Sequence, residues 1–100
     1  MQIEHQEQGT KGEWYVAQKE QKDQRLAEMT YSRAGDDKFI IDHTWVDDSL
    51  RGQRVGQQLI EAAVGFARMH ALKIIPLCPF AKSVFDKNES IRDVLQQDFI

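Results

Sequence analysis

The sequence predicts an α/β domain built on a mixed sheet, in the order β-β-β-α-β-α-α, and three observations carry that prediction. Three stretches of strand character lie within residues 12–46, joined by short polar turns. From residue 53 the apolar period lengthens from two to that of a helix. An apolar, β-branched segment (LKIIPLC, residues 72–78) then follows the helix as a buried strand.

Taken in order, residues 12–18 (GEWYVAQ) are rich in aromatic and branched side chains and form the first strand, and residues 19–23 (KEQKD) a polar turn. Residues 25–33 place Ala27, Met29 and Tyr31 on one face and Glu28, Thr30 and Ser32 on the other, the period of a half-buried strand. Ala34-Gly35-Asp36-Asp37 supplies a hairpin turn. Residues 38–46 give the strongest strand. Phe39, Ile41, His43 and Trp45 are expected on one face, and Ile40, Asp42, Thr44 and Val46 on the other. Short turns between consecutive strands imply an antiparallel meander.

Between residue 53 and about residue 70, Val55, Leu59, Ala62, Ala63, Phe66 and Met69 recur at helical spacing. Arg54, Gln57, Gln58, Glu61 and Arg68 occupy the opposite face, so the helix is amphipathic. In the strand that follows, Pro76 lacks an N–H and belongs at an edge or where pairing is interrupted. Pro79 suits the first turn of a second helix, to about residue 86. Ser90 is expected to cap a last short helix, with Asp93 at its N3 position. Whether Gln2 and Ile3 add a strand is open.

The chain has 100 residues, the size of one domain with a modest core, since such a domain buries a little over ~60% of its unfolded surface. With 41% hydrophobic and 29% charged residues and a net charge of −3, it has the composition of a globular protein without the basic face that general nucleic-acid binding needs. An anionic cofactor held by one or two arginines is compatible with that balance. Cys78 is the only cysteine, which excludes an intramolecular disulfide and a thiol-only metal site. No His, Cys and carboxylate spacing suggests a metal, and none is expected. Residues 1–7 are polar, without the apolar core of a secretory signal, and no apolar run approaches the ~20 residues of a membrane span. The expectation is a cytoplasmic protein without a membrane partner.

The most informative segment is residues 47–57 (DDSLRGQRVGQ), between strand and helix. A helix amino terminus presents unpaired N–H groups and partial positive charge, which suit phosphate. Gly52 and Gly56 allow close backbone approach, and Arg51 and Arg54 can add charge-assisted hydrogen bonds. Neither G-x-x-x-x-G-K-[ST] nor G-x-G-x-x-G is present. From these residues alone, a phosphate site and a plain strand-to-helix turn with surface arginines both remain open.

Strand, then Arg51-Gly52-Gln53-Arg54-Val55-Gly56, then helix resembles the acetyl-CoA motif [QR]-x-x-G-x-[GA] of the GNAT N-acetyltransferases. Val46 with its short linker to Leu50-Arg51-Gly52 fits that family, as does Ile74-Ile75-Pro76-Leu77-Cys78-Pro79-Phe80-Ala81 in the place of the fifth strand and its following helix. The likeness covers roughly residues 24–87 and is to a minimal branch of about 100 residues. It implies a GNAT-like mixed β-sheet with strands four and five splayed around CoA. It further implies acetyl-CoA as co-substrate and an amine acceptor of unidentified kind, small molecule or protein lysine. Val46 would pair with the pantetheine arm. Arg51, Gly52, Gln53, Arg54, Val55, Gly56 and Gln57 would hold the pyrophosphate.

The chain departs from the family pattern at four places. Arg54 stands where glycine is common, and is expected to keep helical backbone with its side chain outward. Cys78 replaces a frequent asparagine, Phe85 replaces a tyrosine used as general acid, and the C-terminal strands that complete the acceptor side are missing. A CoA-binding module with little or no transferase activity is therefore the alternative reading.

Two residues are candidates for catalysis. Cys78 is either a nucleophile, activated by the amino end of the next helix, or a small buried residue. His43 is either a base for the acceptor's proton or a hydrogen-bonded core histidine. Trp45 and Phe80 either flank the cofactor or pack in the core, with core packing favoured. Asp47-Asp48 either attracts a cationic amine or forms a solvated loop, with the loop favoured. His5 and His70 have no supporting context.

Overall fold

The computed structural model describes residues 2–21 and 24–96. Its elements are β1 (Glu4–Gln8), β2 (Lys11–Ala17), β3 (Arg25–Arg33), β4 (Lys38–Val46), α1 (Val55–His70), β5 (Lys73–Pro76) and α2 (Pro79–Lys87). Short 3-10 turns cover Asp48–Leu50 and Glu89–Val94. The five strands lie in sequence order; β1 to β4 are antiparallel neighbours and β5 joins β4 in parallel. The mixed sheet is as the sequence predicts.

Two elements differ. β1 is an added edge strand: EHQEQ has no alternating apolar residues, so its pairing with β2 leaves no hydropathy signature. The expected Ser90-capped helix is a 3-10 turn instead. Asn88 is its cap, accepting from the Ser90 N–H at 3.1 Å, while Asp93 pairs with Arg68 at 2.8 Å.

One face of the sheet holds the core. Trp14, Val16, Ala27, Met29, Tyr31, Phe39, Ile41 and Ile74 are buried there against Leu59, Ile60, Ala63 and Ala67 of α1 and Ala81 and Phe85 of α2. The opposite face carries Glu13, Tyr15, Glu28, Thr30, Ile40 and Ile75, and none of them is buried.

A bulge in β4 corrects the predicted alternation. Thr30 pairs with His43 but Tyr31 with Ile41, leaving Asp42 as the extra residue. One extra residue exchanges the two faces of everything beyond it. Phe39 and Ile41 point into the core, whereas His43 and Trp45 point to the uncovered face and are exposed. Thr44 and Val46 take the core side in their place.

Candidate active-site cleft

β4 and β5 pair only from Lys38↔Lys73 to Ile41↔Pro76. Pro76 ends β5 at this point, as its missing N–H requires. The chain then turns away, with the Leu77 N–H on the Ile75 carbonyl (3.0 Å) and the Cys78 N–H on the Ile41 carbonyl (3.0 Å). The end of β4, residues 42–46, has β3 on one side and no strand on the other. The predicted splay is therefore present, and it leaves a free backbone edge.

Beside that edge lies a cleft of ≈ 510 Å³. Its walls are Thr44 and Val46 of β4, the loop residues Leu50, Arg51, Gly52 and Arg54, the first turn of α1 (Val55, Gly56, Gln57) and Phe80 of α2. The cleft brings together Val46, Arg51, Gly52, Arg54, Val55, Gly56 and Gln57. Gln53 is not in its wall; its carbonyl instead accepts from the Gln58 side chain at 3.0 Å.

The loop's conformation explains why this helix start is available. Asp47 accepts from the Ser49 N–H at 3.0 Å and opens the 3-10 turn, and Asp48 pairs with Arg51 at 3.1 Å. These two acids are accounted for by the local turn. Gly52 (φ +86°) and Arg54 (φ +57°) are both left-handed. Arg54 thus departs from the helical backbone expected of it; the reversal into α1 happens at this residue. No side chain caps α1, and its first ladder bond runs from Gln58 N–H to the Arg54 carbonyl. The N–H groups of Val55, Gly56 and Gln57 have no partner among the described residues and border the cleft. An uncapped amino terminus of this kind favours an anion. Arg54 makes no ion pair among the described residues, and the exposed Arg51–Asp48 pair is weak enough to open.

Replacing Arg54 by glycine separates strain from charge. We expect Arg54→Gly to raise unfolding stability by about 1 kcal/mol through relief of the left-handed conformation. The same variant should bind a phosphate ligand less tightly. Thermal unfolding and titration with CoA on one sample check both outcomes.

Gly56 is needed where α1 meets α2. A Cβ there would lie 2.6 Å from the Phe80 ring. Phe80 is 38% exposed and forms the cleft wall, so it flanks the cleft rather than packing in the core as favoured. Trp45, 41% exposed, also lies outside the core, on the uncovered face.

Cys78 is buried just behind the cleft wall, with Sγ 3.4 Å from Oγ1 of Thr44. Burial pushes its thiol up. The Thr44 hydroxyl and the N–H groups of Ala81, Phe80 and Thr44 more than offset that, leaving the pKa below its ordinary value. The amino end of α2 therefore acts as the sequence position suggests. A lowered pKa keeps the thiolate present to lower pH, with the thiol re-forming as pH falls through the shifted value. The Cβ resonance of Cys78 should accordingly titrate below the ordinary thiol range, and Thr44→Val should move the midpoint upward. His43 is not brought to this side; it lies across from Thr30 on the uncovered face, neither in the core nor in the cleft. Phe85 is fully buried in the core, so its position offers nothing to the cleft.

Thr44 is the cleft residue that sequence reasoning missed. Its orientation depends on the bulge, which no periodicity reveals. Also missed was the cluster at the sheet's other edge. There His5 Nε2 lies 2.7 Å from the Tyr31 hydroxyl, which donates to Glu7 (3.1 Å), and Arg33 holds the same carboxylate (2.7 Å). His5 also stacks on Trp14, with ring centroids 4.6 Å apart.

Among the described residues no group of three His, Cys, Asp or Glu side chains could hold a metal, and no helix is long and apolar enough to cross a membrane.

Comparison with known proteins agrees with this architecture. Residues 14–94 match the family model of the GCN5-related N-acetyltransferases. The NMR solution structure of a GCN5-like proposed N-acetyltransferase from Staphylococcus aureus is 38% identical. It superposes with a TM-score of 0.71, over 96% of this chain and 92% of that one. Two more distant structures share the fold. A ribosomal-protein-alanine N-acetyltransferase from Brucella melitensis is 12% identical, with a TM-score of 0.65 over 91% of this chain and 66% of that one. An acetyltransferase predicted in Clostridium acetobutylicum, solved with acetyl-CoA, is 15% identical, with a TM-score of 0.62 over 91% and 62%. No curated protein sequence matches. The chain belongs to the GCN5-related N-acetyltransferase family.

Proposed function

We propose that the cleft binds acetyl-CoA and that the protein transfers the acetyl group to an amine. The observation that carries this reading is the meeting of three features in one cleft: the uncapped amino terminus of α1, two arginines and the free edge of β4. The N–H groups of Val55, Gly56 and Gln57, with Arg51 and Arg54, suit a pyrophosphate. The open edge at Thr44–Val46 suits an extended amide-bearing arm, which pairs as an added strand does. Gly52 and Gln53 complete the loop, shaping its backbone.

The thioester supplies an activated acyl carbon. Two routes use this chain's residues. In the direct route the acceptor nitrogen bonds to the acyl carbon, the carbon–sulfur bond breaks, and CoA leaves as its thiolate. His43, exposed on the uncovered face of the same strand, is the candidate to take the proton the nitrogen loses, provided the acceptor approaches from that face. In the covalent route the Cys78 thiolate bonds to the acyl carbon and CoA leaves as its thiolate; the amine then attacks the new thioester, the bond to Cys78 Sγ breaks, and the departing thiolate takes the proton that the nitrogen loses. The lowered thiol pKa and the Thr44 contact support the second route.

A CoA-binding module without transfer is favoured by one observation: Phe85 carries no proton to donate and is sealed in the core. Incubation with acetyl-CoA and an amine panel, followed by free CoA and intact mass, separates the readings. Turnover supports the enzyme. An adduct of about 42 Da that disappears in Cys78→Ala supports the covalent route. Binding with neither product supports the module.

A further inference from the structure

The uncovered face of the sheet carries a row of residues that cofactor binding does not use. The register pairs Tyr15 with Glu28 and Glu28 with Trp45, so Glu28 is flanked on the two neighbouring strands by aromatic residues of the same face. Directly opposed residues have Cβ atoms about 5 Å apart, within contact range for such side chains. The chain itself shows what the Tyr15 ring attracts. The Arg25 guanidinium lies 3.4 Å from its centroid and is also bonded to Glu13 at 3.1 Å.

Trp45 is different. It is 41% exposed, and among the described residues no cation lies over its ring. Glu28 makes no side-chain hydrogen bond or ion pair among them either. In the next row, Glu13, Thr30 and Asp42 line a depression of ≈ 570 Å³. This face also reaches the cleft. Trp45 lies beyond the last β4–β5 pair, and its neighbours Thr44 and Val46 line the cleft from the other side of the same strand.

We infer that Trp45 and Glu28 form the acceptor-recognition site, and that they hold a positively charged group of a di- or polyamine. The inference rests on acetyl transfer at the cleft. An alkylammonium is attracted to the face of a tryptophan ring, and the adjacent carboxylate adds its charge. Pairing with a carboxylate raises an ammonium's pKa, which works against attack by that same nitrogen. The held charge is therefore a second one, and the reacting amine reaches the gap uncharged.

The test is titration of ¹⁵N-labelled protein with 1,4-diaminobutane, and with 1-butanol as an uncharged control, in the presence and absence of acetyl-CoA. The indole N–H of Trp45 reports the site, and that of buried Trp14 serves as internal control. The diamine should shift Trp45 saturably and leave Trp14 in place. Glu28→Gln and Trp45→Ala should each weaken binding about fivefold, and Trp45→Phe should restore most of it. In turnover, Glu28→Gln should raise KM for the diamine about fivefold and leave kcat unchanged. Equal shifts with butanol, or wild-type affinity in Glu28→Gln, would overturn the site. The amides of Val55, Gly56 and Gln57 report acetyl-CoA in the same spectra. Their response without an amine response removes the acceptor site alone. An amine response without theirs removes the cofactor reading, and the acceptor role with it.

Discussion

Gly12→Val should be among the most destabilising single substitutions in this protein, costing about 3 kcal/mol, the upper end of what overpacking costs. Gly12 pairs with Tyr31 across β2 and β3, and the outer end of the Tyr31 side chain lies against it. A Cβ at Gly12 would sit 2.3 to 2.5 Å from three atoms of the Tyr31 side chain. The ring has nowhere to go. Tyr31 is fully buried, Trp14 and Phe39 pack against it at centroid distances of 4.6 and 5.1 Å, and His5 and Glu7 bind its hydroxyl. In a domain of this size the loss corresponds to a fall in Tm of about 15 °C or more. Thermal unfolding measures it directly; a Tm within a few degrees of wild type would show that the aromatic edge yields more easily than the packing implies.

The second large effect concerns ligand affinity. Removing either loop arginine, Arg51→Ala or Arg54→Ala, should weaken CoA binding about tenfold or more, since a hydrogen bond to a charged group is worth about 1.5–3 kcal/mol. Both side chains are exposed, and Arg51's pairing with Asp48 is the only ion pair either makes among the described residues. Their removal therefore costs the fold little, and the Tm of free protein should stay near wild type. The double variant should approach the product of the single effects if each arginine meets its own oxygens. Calorimetric titration at two salt concentrations adds a check, because wild-type affinity should fall with salt more steeply than that of the double variant.

These expectations depend on features that were legible in the sequence to very different degrees. Strands β2, β3 and β4 announced themselves because alternation of side chains is the direct consequence of burying one face. The loop before α1 was legible because left-handed backbone and close approach favour glycine, and Gly52 stands at such a position. Arg54 was read the wrong way: its conformation is set by the reversal into α1, and an arginine gives no sign of it. β1 could not be seen, since its polar residues pair through their backbones at an edge. The faces of His43, Thr44 and Trp45 were hidden by a single extra residue at Asp42. That one bulge decides which side chains meet the cleft and which meet the uncovered face. The turn at Asn88 shows the same limit on a smaller scale, with two polar residues, Asn88 and Ser90, competing for one cap.

The central claim is that one cleft, formed where β4 parts from β5, binds acetyl-CoA through the amino terminus of α1. An amide-resolved titration with acetyl-CoA tests it most directly. The account predicts saturable, one-site shifts at Val55, Gly56 and Gln57 together with Thr44 and Val46, with a far smaller response in the Arg51→Ala/Arg54→Ala double variant. Absence of a saturable response, or shifts confined to other parts of the sheet, would contradict it.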